Sequence, residues 1–225
     1  MGSKLKYQLD AFAPTEKEFD ITEPARMMKT LEKLRPKTVV HCAAVTDVSF
    51  CEKNPMTAYM INSVGTYYLA ELCEDLDIKL VYISTDHVFD GEKGMYKETD
   101  PPNPQGHYAK SKLMGEHYTL ANDNLVIRTS FMDSFPFKKA YTDKYFSAEG
   151  VGTIASWIAH AVKKDLKGLW HIAGERKSIY DFAKTFKNDV QPMKLKDRPV
   201  NAFGLKYLKD TSLDCGRWEN LTAPR

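Results

Sequence analysis

"KLVYIST", residues 79–85, runs directly into "DHVFDG", residues 86–91, and the reading of that junction decides the fold. The seven residues are mostly apolar and bounded by polar segments, which is the pattern of a short strand buried on both faces. A strand that merely closes a core usually turns over on Asn, Gly or Pro. This one ends in Ser84, Thr85, Asp86 and His87. A hydroxyl, a carboxylate and an imidazole are thereby delivered at the carboxyl end of a strand, where open α/β sheets bind their ligands.

On either side of this stretch, strand and helix patterns alternate. Upstream, "TEPARMMKTLEKL" at 22–34 carries Pro24 in a first-turn position, with Met27, Leu31 and Leu34 at helical spacing. "KTVVHCAA" at 37–44 reads as a buried strand, and "NPMTAYMINSVGTYYLAELCEDL" at 54–76 as one helix capped by Asn54. Downstream, "HYAKSKLMGEHYTLA" at 107–121 is helical and "NLVIRTS" at 124–130 is a strand. "EGVGTIASWIAHAVKK" at 149–164 is a helix, "GLWHIAG" at 168–174 a strand, and "SIYDFAKTF" at 178–186 a helix that Ser178 caps. Strand and helix in turn imply parallel strands joined by right-handed crossovers, so the expected class is α/β, a doubly wound parallel sheet. From about Phe131 the pattern loosens, which predicts a small C-terminal lobe mixed with the last sheet elements.

Composition narrows the function classes. The 225 residues carry a net charge of +2 from interspersed acids and bases, with no basic block of the kind that nucleic acid requires. Cys42, Cys51, Cys73 and Cys215 lack zinc-type spacing, as do His41, His117, His160 and His171, so no metal is expected. "MGSKLKYQLD" has no apolar signal core, and the longest apolar run, 151–162, is too short to span a bilayer. A soluble cytoplasmic protein without a membrane partner is the expectation.

Tyr108 and Lys112 lie four residues apart, hence on one face of their helix. An ammonium near a phenol stabilises the phenolate and lets the tyrosine exchange a proton near neutral pH. The spacing alone is weak, because Tyr180 and Lys184 repeat it. Context separates the two pairs. Tyr108 opens the helix reached from the loop that leaves Thr85, whereas Tyr180 is followed by Phe182 and Phe186 at packing positions.

Thr85, Tyr108 and Lys112, with "STDHVFDG" and "PPNPQGHYAKSKLMGE", resemble the extended short-chain dehydrogenases/reductases, and within them the dTDP-4-dehydrorhamnose reductases. "VVHCAAVTDV", "CEKNPMTAYMINSVGT" and "VIRTS" follow in the same order. The resemblance implies a Rossmann-like dinucleotide-binding domain at 1–130 and a mixed segment at 131–225 that includes the substrate-binding lobe. It implies NADPH or NADH as cofactor, a nucleotide-sugar substrate, and reduction of the sugar's 4-keto group. Tyr108 would supply the proton, Lys112 would hold the nicotinamide ribose and tune Tyr108, and Thr85 would donate a hydrogen bond to the reacting oxygen. Asp86 and His87 would flank the sugar, with His87 standing where these reductases usually carry Tyr. Ala43, Ala44, Asn62 and Arg128, with Tyr108 and Lys112, would border the cofactor.

One family feature is missing. The G-x-x-G-x-x-G turn that cradles a pyrophosphate is absent, and "KLKYQLDAFAPTEKEFDIT" at 4–22 aligns with the family's second strand and the loop after it. The N-terminal strand-turn-helix is thus expected to be missing, through truncation of the chain, replacement by another chain or rearrangement into a pseudo-enzyme, with weak cofactor binding by the remaining residues as a result. Two alternatives stay open: a nucleotide-sugar epimerase or dehydratase, and a non-catalytic regulatory subunit like the β subunit of methionine adenosyltransferase. A homodimer or a hetero-partner is compatible with either.

Overall fold

A computed structural model describes residues 1–197, 200 and 203–223. In chain order its first half contains α1 (Gly2–Leu9), α2 (Pro24–Leu34), β1 (Thr38–His41), α3 (Val48–Lys53), α4 (Pro55–Tyr59), a π-helical turn (Met60–Val64), α5 (Gly65–Asp75) and β2 (Lys79–Thr85). A 3-10 turn (Asp86–Val88) follows, then α6 (His107–Leu120), β3 (Leu125–Thr129), β4 (Lys139–Tyr141), β5 (Tyr145–Phe146) and α7 (Val151–Lys163). The chain ends with β6 (Gly168–His171), β7 (Lys177–Ser178), α8 (Ile179–Lys184), β8 (Gln191–Met193), a 3-10 turn (Leu195–Asp197) and α9 (Gly216–Thr222).

Four strands form a parallel sheet in the order β1-β2-β3-β6, as the alternating pattern requires. Thr38 pairs with Lys79 and His41 with Tyr82 in the β1–β2 register. Six of the seven β2 residues are buried, which explains why this strand reads as a continuous apolar run rather than an alternating one.

The chain divides into two compact units, and it passes from one to the other after residues 84, 105, 127, 154 and 169 rather than once near 130. The first unit comprises Met1–Ser84, Gly106–Ile127 and Ala155–Leu169. Its core includes Ile21, Met27, Leu31, Leu69, Ala70, Cys73, Ile78 and Leu80. Met27 and Leu31 seat α2 there, each worth about 1.5–3 kcal/mol on full burial. Leu34, the third member of the expected stripe, is instead 44% exposed, because α2 ends at Arg35 in a left-handed conformation.

Three local expectations are corrected. The stretch 4–22, aligned by resemblance with a strand and the loop after it, opens instead within the helix α1. Leu, Lys and Gln favour the helix, and Leu5 buries its side chain on one face. The helix expected over 54–76 is interrupted by the π-turn at Met60–Val64, which sets Asn62 inward. Asn54 precedes α4 but makes no side-chain cap; its amide donates back to the Phe50 carbonyl at 3.1 Å.

The second unit comprises Thr85–Gln105, Arg128–Ile154 and Trp170–Arg225. It carries two small sheets, β4 with β8 in parallel and β5 with β7 antiparallel. Phe135, Ala140, Ala183 and Val190 pack together, and Phe146 meets Phe182 edge-on. Ser178 caps α8 as its sequence suggests, accepting from the Asp181 amide at 3.0 Å.

Candidate active site

In the first unit, α6 turns a polar face inward: Ser111, Lys112, Glu116 and Thr119 are all buried. Its first turn is anchored where the His107 amide donates to Glu52 Oε1 at 2.7 Å. Tyr108, one residue on, is half-buried. Lys112 is only 4% exposed; its Nζ donates to the Ile83 carbonyl at 2.7 Å and lies 4.0 Å from the centroid of the Tyr82 ring. Burial pushes the Lys112 amine down to about 7, against the upward pull of Glu116 and Cys42. Beside it, Ser84 Oγ donates to Glu116 Oε1 at 2.5 Å. Tyr82 is fully buried, and burial holds its phenol well above its ordinary range.

Asn62 is also fully buried. Its Oδ1 accepts from the Val45 amide at 2.8 Å, and its Nδ2 donates to the Val45 carbonyl and to Ser111 Oγ, both at 3.0 Å. That clamp ties the segment after β1 to α6. His41, at the end of β1, shares a 3.0 Å hydrogen bond with Thr66 Oγ1, and burial drives its imidazole down to about 3.

The segment held by Asn62 borders a cavity of roughly 980 Å³. Ala43 and Ala44 form part of its wall with Gly2, Leu5, Leu9 and the edge strand β1. Side chains this small leave room for a ligand's backbone to approach, and the volume lies at the upper end of small-molecule sites, about 300–1,000 Å³. The wall therefore fits part of a dinucleotide, although it lacks the glycine-rich turn.

In the second unit, Thr85 and Asp86 are 7% and 4% exposed. Thr85 Oγ1 donates to Asp86 Oδ1 at 3.2 Å and accepts from the His87 amide at 3.2 Å, while Thr211 Oγ1 donates to Asp86 Oδ2 at 2.7 Å. Burial lowers the His87 imidazole pKa, Asp86 opposes that shift, and Lys144 reinforces it. Arg128 is 3% exposed and its guanidinium lies 5.0 Å from the Phe89 ring centroid. The sequence showed Ser84 at the end of the strand but gave it no partner, and it gave Tyr82 and Glu116 no role. The signal for Glu116 was present, since it stands four residues beyond Lys112 on the same helical face.

A parallel sheet with crossover helices, bearing a tyrosine and a buried lysine one turn apart on the helix after β2, defines an α/β protein of the extended short-chain dehydrogenase/reductase type. The family model described as the RmlD substrate binding domain matches residues 2–134, and the chain belongs to that family. It is 39% identical over 144 residues to a dTDP-4-dehydrorhamnose reductase of Mycobacterium tuberculosis, covering 59% of this chain and 47% of that one. It is 29% identical over 218 residues to methionine adenosyltransferase 2 subunit beta of Bos taurus, covering 83% of this chain and 65% of that protein. A crystal structure of dTDP-4-dehydrorhamnose reductase from Bacillus anthracis in complex with NADP superposes with a TM-score of 0.87 at 25% identity, covering 100% of this chain and 90% of that one. The chain spans about half to two thirds of the length of the curated relatives it matches.

Proposed function

We propose that this protein is an oxidoreductase that reduces the 4-keto group of a nucleotide-linked deoxysugar, as the dTDP-4-dehydrorhamnose reductases do, with NADPH or NADH as the reductant. The observation that carries the reading is the seating of Lys112 one turn from Tyr108, buried against Tyr82 and the Ile83 carbonyl. A reduced nicotinamide would supply the hydride. Tyr108 then provides the proton that the new alkoxide takes up, and Lys112 stabilises the phenolate left behind. Thr85 is the residue assigned to donate a hydrogen bond to the carbonyl oxygen, and Asp86 and His87 are assigned to the sugar. Ala43 and Ala44, with Asn62 holding the backbone behind them, are assigned to the dinucleotide. Arg128, stacked on Phe89, is assigned to its more distant part.

A second reading draws on the longer match to the methionine adenosyltransferase β subunit, which covers 83% of this chain against 59% for the mycobacterial reductase. In that reading the chain binds another protein and turns nothing over. One experiment separates them. Nicotinamide fluorescence is followed on titration with NADPH, then absorbance on addition of dTDP-4-dehydrorhamnose. Catalysis predicts turnover that falls about 100-fold or more in Tyr108→Phe, with folding and cofactor binding retained. A folded chain that binds no NADPH, or a Tyr108→Phe variant with undiminished turnover, refutes the first reading.

A further inference from the structure

The charges around Lys112 extend past the tyrosine. Lys112 and Glu116 are 4% and 1% exposed and sit one turn apart on the same face of α6. Two consecutive residues of β2 serve them: the Ile83 carbonyl accepts from Lys112 Nζ, and the Ser84 hydroxyl donates to Glu116 Oε1. Two buried groups one helical turn apart, an amine and a carboxyl, are thus each held by the same strand.

Among the described residues, the titratable groups set against Lys112 are Glu116 from α6, Tyr82 from β2, and His41 and Cys42 from β1 and the residue after it, with Tyr108 one helical turn before it. Burial drives the His41 imidazole down to about 3 and the Cys42 thiol up to about 11, and it raises the Tyr82 phenol further. These three stay neutral around pH 7, so the carboxylate of this group is Glu116.

We propose that Glu116, fixed by the Ser84 hydroxyl, is a positioning residue whose carboxylate keeps the Lys112 ammonium charged and seated on the Ile83 carbonyl, so that Tyr108 works beside a cation. This rests on reading Tyr108 and Lys112 as the proton-transfer pair. Glu116 touches neither sugar nor cofactor in this role and acts through Lys112. Two neighbouring strand residues, Ile83 and Ser84, thereby set the geometry of both charges at once.

The test follows the Lys112 side chain directly. In the full chain labelled with 13C-lysine, the Lys112 Cε signal is assigned by its loss in Lys112→Met, and its pH midpoint is compared among native, Glu116→Gln and Glu116→Asp proteins. Removing an opposite charge this close lowers the midpoint by about one unit or more. Glu116→Asp, which only retracts the carboxylate, lowers it by less. The alkaline limb of the turnover profile moves down by the same amount in each variant. A midpoint unmoved by these substitutions overturns the inference whatever the turnover. Should Gln unfold the chain, the Asp variant decides by itself. Midpoints that shift in a protein with no reductase activity at all keep the Glu116–Lys112 coupling and refute only the catalytic reading of the pair.

Discussion

Asn62→Ala tests the clamp between the segment after β1 and helix α6. Asn62 is fully buried and makes three side-chain hydrogen bonds, two to the Val45 backbone and one to Ser111 Oγ. At about 1 kcal/mol net each, their loss removes roughly 3 kcal/mol. Val45 is half-buried, so water can take over part of its pairing, whereas the emptied volume beside α6 adds a cavity cost. The expected loss is about 2–4 kcal/mol, a large share of the roughly 5–15 kcal/mol by which domains are stable. Urea denaturation followed by circular dichroism measures it: the midpoint should fall by about 1 M or more with an unchanged slope. Asn62→Asp is the sharper variant. It keeps an acceptor for the Val45 amide but faces the Val45 carbonyl with a second oxygen, so it should be at least as destabilising as Ala despite its matching shape. A loss below about 1 kcal/mol for Ala, or native stability for Asp, refutes the clamp.

Two further outcomes follow from buried groups. The imidazole of His41 is pushed from 6.5 to about 3, so the unfolded chain binds a proton there that the folded chain refuses. Stability contributed by this residue is full above pH 6.5 and is lost toward pH 3 at a slope of about 1.4 kcal/mol per pH unit. Denaturant midpoints on a descending pH series should therefore fall less steeply for His41→Asn than for the native protein, and equal slopes would count against the burial argument. Gly115→Ala should destabilise by about 1–3 kcal/mol even though alanine favours a helix. Its Cβ would lie 2.4 Å from the Tyr82 hydroxyl and 3.0 Å from the Asn62 carbonyl. Thermal unfolding checks this, and Tyr82→Phe in the same chain should recover part of the loss.

The sheet was legible because its strands are short apolar runs separated by helices with unambiguous periodicity, as in β2 and α2. The N-terminal stretch was misread for the opposite reason: alignment by resemblance gave residues 4–22 a strand followed by a loop, while Leu5 and the surrounding good helix formers follow their local preference in α1. The π-turn left no periodic trace, since it shifts only the few residues around Asn62. At the site, the Tyr108–Lys112 spacing was visible as one helical turn. Lys112's partners were not, because Tyr82 and Ile83 belong to a different element about thirty positions upstream and contribute a ring and a carbonyl that their letters do not advertise.

The five crossings between units bear on how the protein is made. Nothing short of residue 169 completes the first unit, because Gly106–Ile127 and Ala155–Leu169 belong to it. At ribosomal rates of roughly 5–20 residues per second, β2 waits on the order of 4 to 17 s between the synthesis of Ser84 and of Leu169. Throughout that interval Leu80, Val81 and Ile83 lack a finished interior, so the apolar strand stays open to mispairing while the chain lengthens.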